Sequence, residues 1–296
     1  MNELLLPLQF PFMQNAFLIA LLVGPPTALL SCFLVMKGWA LMGDAVAHAV
    51  LPGIVLAWIA GLPLIVGAFA AGMTCALATG YLTDMSRIKQ DTVMGVVFSG
   101  MFAVGMILFV AFPTDAHLDH ILVGNLLGVG PADLWTAGVI SVVVCAALIL
   151  KWRDLLLHTF DPAQAKASGL PVNLLHYGLL AILSLTIVAT LSATGLILAV
   201  ALLVTPGAIA FLVVRSFGWM LVWSVLICTG AMLSGVYASF FLDSSPAATI
   251  VLILTAIVVG VATTAVALAL TVRIFETFGT IEEDEIKAIE AEEHDT

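Results

Sequence analysis

Long stretches with scarcely a polar residue alternate along the chain with short connections that hold nearly all of its charge. The apolar stretches lie near residues 13–35, 40–60, 63–83, 92–112, 133–150, 172–191, 194–214, 219–241 and 247–270. Each is close to the roughly 17 to 25 residues that a helix needs to cross the hydrocarbon of a bilayer. In lipid such a segment must satisfy its own amides and carbonyls, which a helix of that length does. The pattern predicts an all-α integral membrane protein of nine spanning helices, or eight if one stretch re-enters without crossing.

Composition leaves little room for anything else. Of 296 residues 62% are hydrophobic and 9% charged, against about a quarter charged in soluble domains. Mean hydropathy is +1.19. One transmembrane domain over 1–275 is expected, followed by an acidic tail over 276–296. The formal charge of −10 belongs mostly to that tail, where residues 281–296 hold eight acids and one lysine. This acidity reads as a solvated end rather than a site, and no nucleic-acid partner is expected. Cys32, Cys75, Cys145 and Cys228 each fall inside an apolar stretch without a CxxC, so they read as small buried hydrophobes. No basic n-region precedes the first stretch, which is expected to remain as a span.

The basic residues set a direction. Lys37, Arg87, Lys89, Lys151, Arg153, Lys166, Arg215, Arg273 and Lys287 all fall in alternate connections or the tail. The positive-inside rule makes that side the cytoplasm, with the N-terminus outside and the C-terminus inside a bacterial inner membrane. The opposite loop from Pro113 to Pro131 carries Asp115, His117, Asp119 and His120 and no basic residue, a candidate outer entry for a cation.

Polar groups and helix breakers inside the spans carry the chemistry. Pro25, Pro26, Pro52, and Pro206 with Gly207 lie within apolar stretches. A proline removes the amide that would bond the carbonyl four residues earlier, so protein, water or a ligand must satisfy the freed oxygen. In the second stretch, WALMGDAVAHAVLPG places Asp44 and His48 four residues apart on one helix face, and Pro52 frees the carbonyl of His48. A carboxylate in the membrane costs about 2.5 to 3.5 kcal/mol on insertion scales and marks an ion or proton pathway. One carboxylate and one imidazole do not fill the coordination of a divalent ion; two chains on a two-fold axis would supply two of each. That oxygen and nitrogen set suits Mn²⁺, Fe²⁺ or Zn²⁺.

In KGWALMGDAVAHAVLPG, LLVTPGAIAFLVV and FDPAQAKASGLPV the chain resembles the permease subunits of ABC importers for manganese, zinc and chelated iron. The resemblance implies the fold of a type II importer permease with some broken or kinked helices. It also implies that Asp44 and His48 contact the metal, and one carboxylate per chain pulls toward the harder ions, manganese or ferrous iron ahead of zinc. The third segment has its own capping chemistry: Asp161 as N-cap, Pro162 at the first helical position and Gly169 as the left-handed residue beyond the end. By resemblance this short helix, with Ala165 at its middle, is the coupling helix that seats on an ATPase. No GxxxxGK[ST] occurs, so ATP is expected on a separate ABC ATPase subunit. The other implied partners are an extracytoplasmic metal-binding protein and a second copy or a related permease. The family shows Pro-Ala-Ala or similar where this chain has Pro206, Gly207 and Ala208.

Two other classes make different demands on the sequence. A proton-coupled secondary metal transporter also uses intramembrane Asp and His, but such proteins usually carry internal repeats with paired broken helices, and none is evident. An intramembrane protease would need paired deep aspartates, GxSxG or HExxH, and the sequence lacks them.

Overall fold

The computed structural model describes residues 6, 7, 9–112 and 126–278. They form helices α1 (Pro11–Lys37), α2 (Met42–Ala49), α3 (Leu51–Ile59), α4 (Leu64–Met85), α5 (Gln90–Ala111), α6 (Pro131–Phe160), α7 (Pro162–Ala167), α8 (Val172–Thr194), α9 (Leu196–Val213), α10 (Phe217–Leu242) and α11 (Pro246–Phe278). Among the described residues there is no strand, and nine helical segments are long and apolar enough to span, α2 and α3 together making one. The expected segmentation therefore holds. The outer loop residues Asp115, His117, Asp119 and His120 lie outside the described residues, as does the tail beyond Phe278.

Helix α1 occupies the middle of the bundle and packs against α6, α9 and α10. Leu30, Phe33 and Leu34 on it are fully buried. It stops at Gly38, whose φ of +72° is the left-handed conformation that glycine adopts without strain. There the amide of Trp39 bonds the carbonyl of Leu34 at 2.8 Å, closing the last turn. At the periphery, α11 packs on α9 and α10 and leaves Val259, Val266 and Leu268 exposed, as a lipid-facing helix does. With hydrocarbon as the solvent, an apolar outer face carries no penalty.

Three helices depart from the expected outline, α11 by running eight residues past 270 to Phe278. Helix α6 continues ten residues beyond position 150, to Phe160. Its charged turn stays helical because Lys151 bonds Asp154 at 3.0 Å and Arg153 lies over Trp152, with no breaker before Asp161 and Pro162. Helix α9 runs unbroken through Pro206. The amide of Gly207 donates to Ser31 Oγ of α1 at 2.7 Å, and that hydroxyl donates to the carbonyl of Val204 at 3.1 Å. Ser31 thus enters the α9 ladder beside the proline. The approach demands glycine, since a Cβ at position 207 would meet Ser31 backbone carbon and oxygen at 2.6 and 2.7 Å.

Candidate metal site in the broken second span

The second span is two short helices separated at Val50. Pro52 sits at the start of α3, where a missing amide is tolerated because the first amides of a helix have no partner within it. The break is packed tightly: a Cβ at Gly105 of α5 would lie 2.8 Å from Pro52 Cδ. Helix α2 is also set deep. Its Gly43 lies against Leu203, near the middle of α9.

Every residue of α2 is buried except Asp44 and His48. These two remain 36% and 28% exposed at their side chains, so the helix presents only its ionisable pair outward. His48 Nδ1 lies 3.0 Å from the backbone carbonyl of Asp44 and 3.2 Å from its Oδ1. A carbonyl only accepts, so Nδ1 carries the proton and donates. Two donor atoms are left for a ligand: the lone pair on His48 Nε2 and the second carboxylate oxygen of Asp44. One turn of helix thereby fixes both the tautomer and the ring orientation, the role that neighbouring acceptors play around metal-binding histidines.

The imidazole is flanked by Phe98 and Phe102 of α5, with ring centroids 5.9 and 5.7 Å away. These rings were not legible as site residues, since two phenylalanines four apart in an apolar helix read as ordinary lipid or core contacts. They form an apolar wall on one side of the pair. Among the described residues no group of three or more His, Cys, Asp or Glu side chains converges. A single chain therefore brings two metal-binding side chains to this site.

Of the other expected residues, Pro52 adjoins the site and Pro206 does not share it. Pro206 is buried within α9 and sutured by Ser31. At the end of α6, Asp161 accepts from the amide of Gln164 at 2.9 Å, Pro162 opens α7, and Gly169 has a φ of +77°. The caps read from sequence are thus in place. All of α7 is exposed except Ala165, whose side chain anchors it to the body of the protein.

Residues 9–269 match the model of the ABC 3 transport family. The chain is 53% identical over 251 residues to the chelated iron transport system membrane protein YfeD of Yersinia pestis, the alignment covering 83% of each. It is 42% identical over 253 residues to the manganese transport system membrane protein MntB of Synechocystis sp., covering 86% of this chain and 83% of that one. In the solved structure of PsaBC from Streptococcus pneumoniae in complex with Fab, one chain superposes with a TM-score of 0.78 at 34% identity, covering 86% of this chain and 92% of that chain.

Proposed function

The chain belongs to the ABC 3 transport family, and from that premise we propose that it forms the membrane pathway of an ATP-driven importer of divalent transition metal ions. It is a permease subunit, and ATP hydrolysis belongs to a separate subunit. The observation that carries the proposal is the Asp44 and His48 pair, about a third exposed beside the middle of α9 with one oxygen and one nitrogen left to bind. A hard carboxylate beside an imidazole favours manganese or ferrous iron over zinc. The named activities of YfeD and MntB, iron and manganese, point the same way.

Two donor atoms underfill any of these ions, so a second permease related by a two-fold axis supplies the matching pair. Few ligands shared between chains also let the ion leave, which transport requires. The pair needs that neighbour, or water, for a second reason: a carboxylate facing lipid would cost several kcal/mol. Metal reaches the site from an extracytoplasmic binding protein by way of the outer loop that carries Asp115, His117, Asp119 and His120. The end bearing Lys37, Arg87, Lys89, Lys166 and Arg215 faces the cytoplasm of a bacterial inner membrane. There α7 couples the ATPase to the bundle, with Asp161, Pro162, Ala165 and Gly169 holding its shape.

Uptake of manganese, iron and zinc in competition, by cells carrying Asp44→Ala or His48→Ala beside wild type, tests this reading. Loss of accumulation of one or more ions at normal membrane abundance is expected; unchanged accumulation of all three would remove the site.

A further inference from the structure

A second polar cluster lies at the basic end of the bundle, apart from the metal pair. Lys37 Nζ at the end of α1 is 3.1 Å from His158 Nε2 of α6 and 3.5 Å from His176 Nδ1 of α8. It also sits 4.1 Å from the centroid of the Trp39 ring. An ammonium only donates, so both facing ring nitrogens carry lone pairs. His158 therefore holds its proton on Nδ1, a buried atom with no hydrogen-bond partner, in a residue only 3% exposed. Among the described residues no carboxylate lies within ion-pairing distance of Lys37. Among the described side chains the positive charge is held by aromatic rings alone.

These groups line a cleft of about 510 Å³ between α4 and α8. The two helices touch closely at Gly72 and Ser184, where Ser184 Oγ donates to the carbonyl of Phe69 at 3.2 Å. Toward the basic end they part, and a Cβ at Gly80 would find only His176 Nε2, at 3.9 Å. The cleft is amphipathic along its length. Lys37, His158 and Asn173 line its end at the helix termini, and Ala76, Leu77 and Leu180 line it deeper in the span. Tyr81 and Tyr177, 62% and 52% exposed, also line it. Exposed tyrosines at this level are where aromatic side chains meet lipid headgroups.

We infer that this cleft binds the phosphate of an anionic phospholipid, with the phosphate on Lys37 and an acyl chain over Leu77 and Leu180. Basic pockets between spanning helices hold such headgroups by the same means. A free phosphate would satisfy Lys37 and leave the deep apolar end without a ligand. The inference rests on the chain being a membrane permease and is independent of what Asp44 and His48 carry.

Native mass spectrometry of the permease purified with its ATPase subunit, from mixed phosphatidylglycerol and phosphatidylcholine micelles, tests it. Wild type is expected to retain phosphatidylglycerol in preference to phosphatidylcholine, with Lys37→Met lowering that retention about five-fold. Lys37→Arg, which keeps the charge, and Lys151→Met, at an exposed lysine outside the cleft, are expected to retain it. Equal retention by wild type and Lys37→Met would overturn the inference, as would equal retention of the two lipids. Displacement of the lipid by millimolar inorganic phosphate would assign the site to the free anion and overturn the lipid assignment. Lipid retained by the permease alone and lost in the complex would overturn it in favour of an acidic side chain of the ATPase. Intact size-exclusion profiles for the variants, with metal uptake measured alongside, separate failure of this site from failure of the metal pathway.

Discussion

Pro52 and Pro206 are the same residue in the same kind of apolar helix, and the protein treats them in opposite ways. At Pro52 the span divides into α2 and α3, and the half before the break turns an acid and an imidazole outward. At Pro206 the helix continues, because Ser31 reaches across from α1 and takes up an amide and a carbonyl of the adjoining turn. A proline in a membrane helix is therefore no marker of a pathway by itself. What separates the two is a neighbouring hydroxyl bonded to the helix on both sides of Pro206.

The contrast breaks most severely at the suture. Gly207→Val places branched carbon onto the Ser31 backbone, and folded protein in the membrane is expected to fall to background by immunoblot. Next comes the pair itself: Asp44→Ala is expected to lower metal uptake at least on the order of 100-fold, since changes to outer-shell partners alone cost 10- to 100-fold. Pro52→Ala allows α2 and α3 to join and shifts the ligands; uptake about ten-fold lower at unchanged abundance is expected, a misplacement of ~1 Å being enough for such losses. Ser31→Ala leaves the Gly207 amide without its acceptor, and a loss of about 0.6 to 1.7 kcal/mol in unfolding stability is expected. The smallest effect belongs to Pro206→Ala, whose helix is already continuous: stability within about 0.6 kcal/mol of wild type and uptake unchanged. Equal loss of uptake from Pro52→Ala and Pro206→Ala would erase the distinction.

The spans were legible because lipid imposes one rule on every residue of a crossing helix, and the described residues obey it nine times. The Asp44 and His48 pair was legible because four residues make one turn, a local relation. The caps from Asp161 to Gly169 were legible for the same reason. Ser31 was not, since its partners lie 173 and 176 residues away and serine is common in such helices. Lys37, His158 and His176 were equally hidden, being 121 and 139 residues apart along the chain. Phe98 and Phe102 carry no polar signal at all. Local chemistry can be read from spacing; meetings between distant helices depend on packing that spacing does not encode.

The length of α6 has a mechanical consequence. Its 30 residues rise about 45 Å, some 15 Å more than the hydrocarbon they cross. A rod of that kind stands proud of the bilayer and carries α7 at its tip, joined through Asp161 alone. In the coupling role proposed for α7, force applied to the tip would arrive as torque on one continuous helix, which packs against α1 at the centre of the bundle and leaves no joint between tip and core.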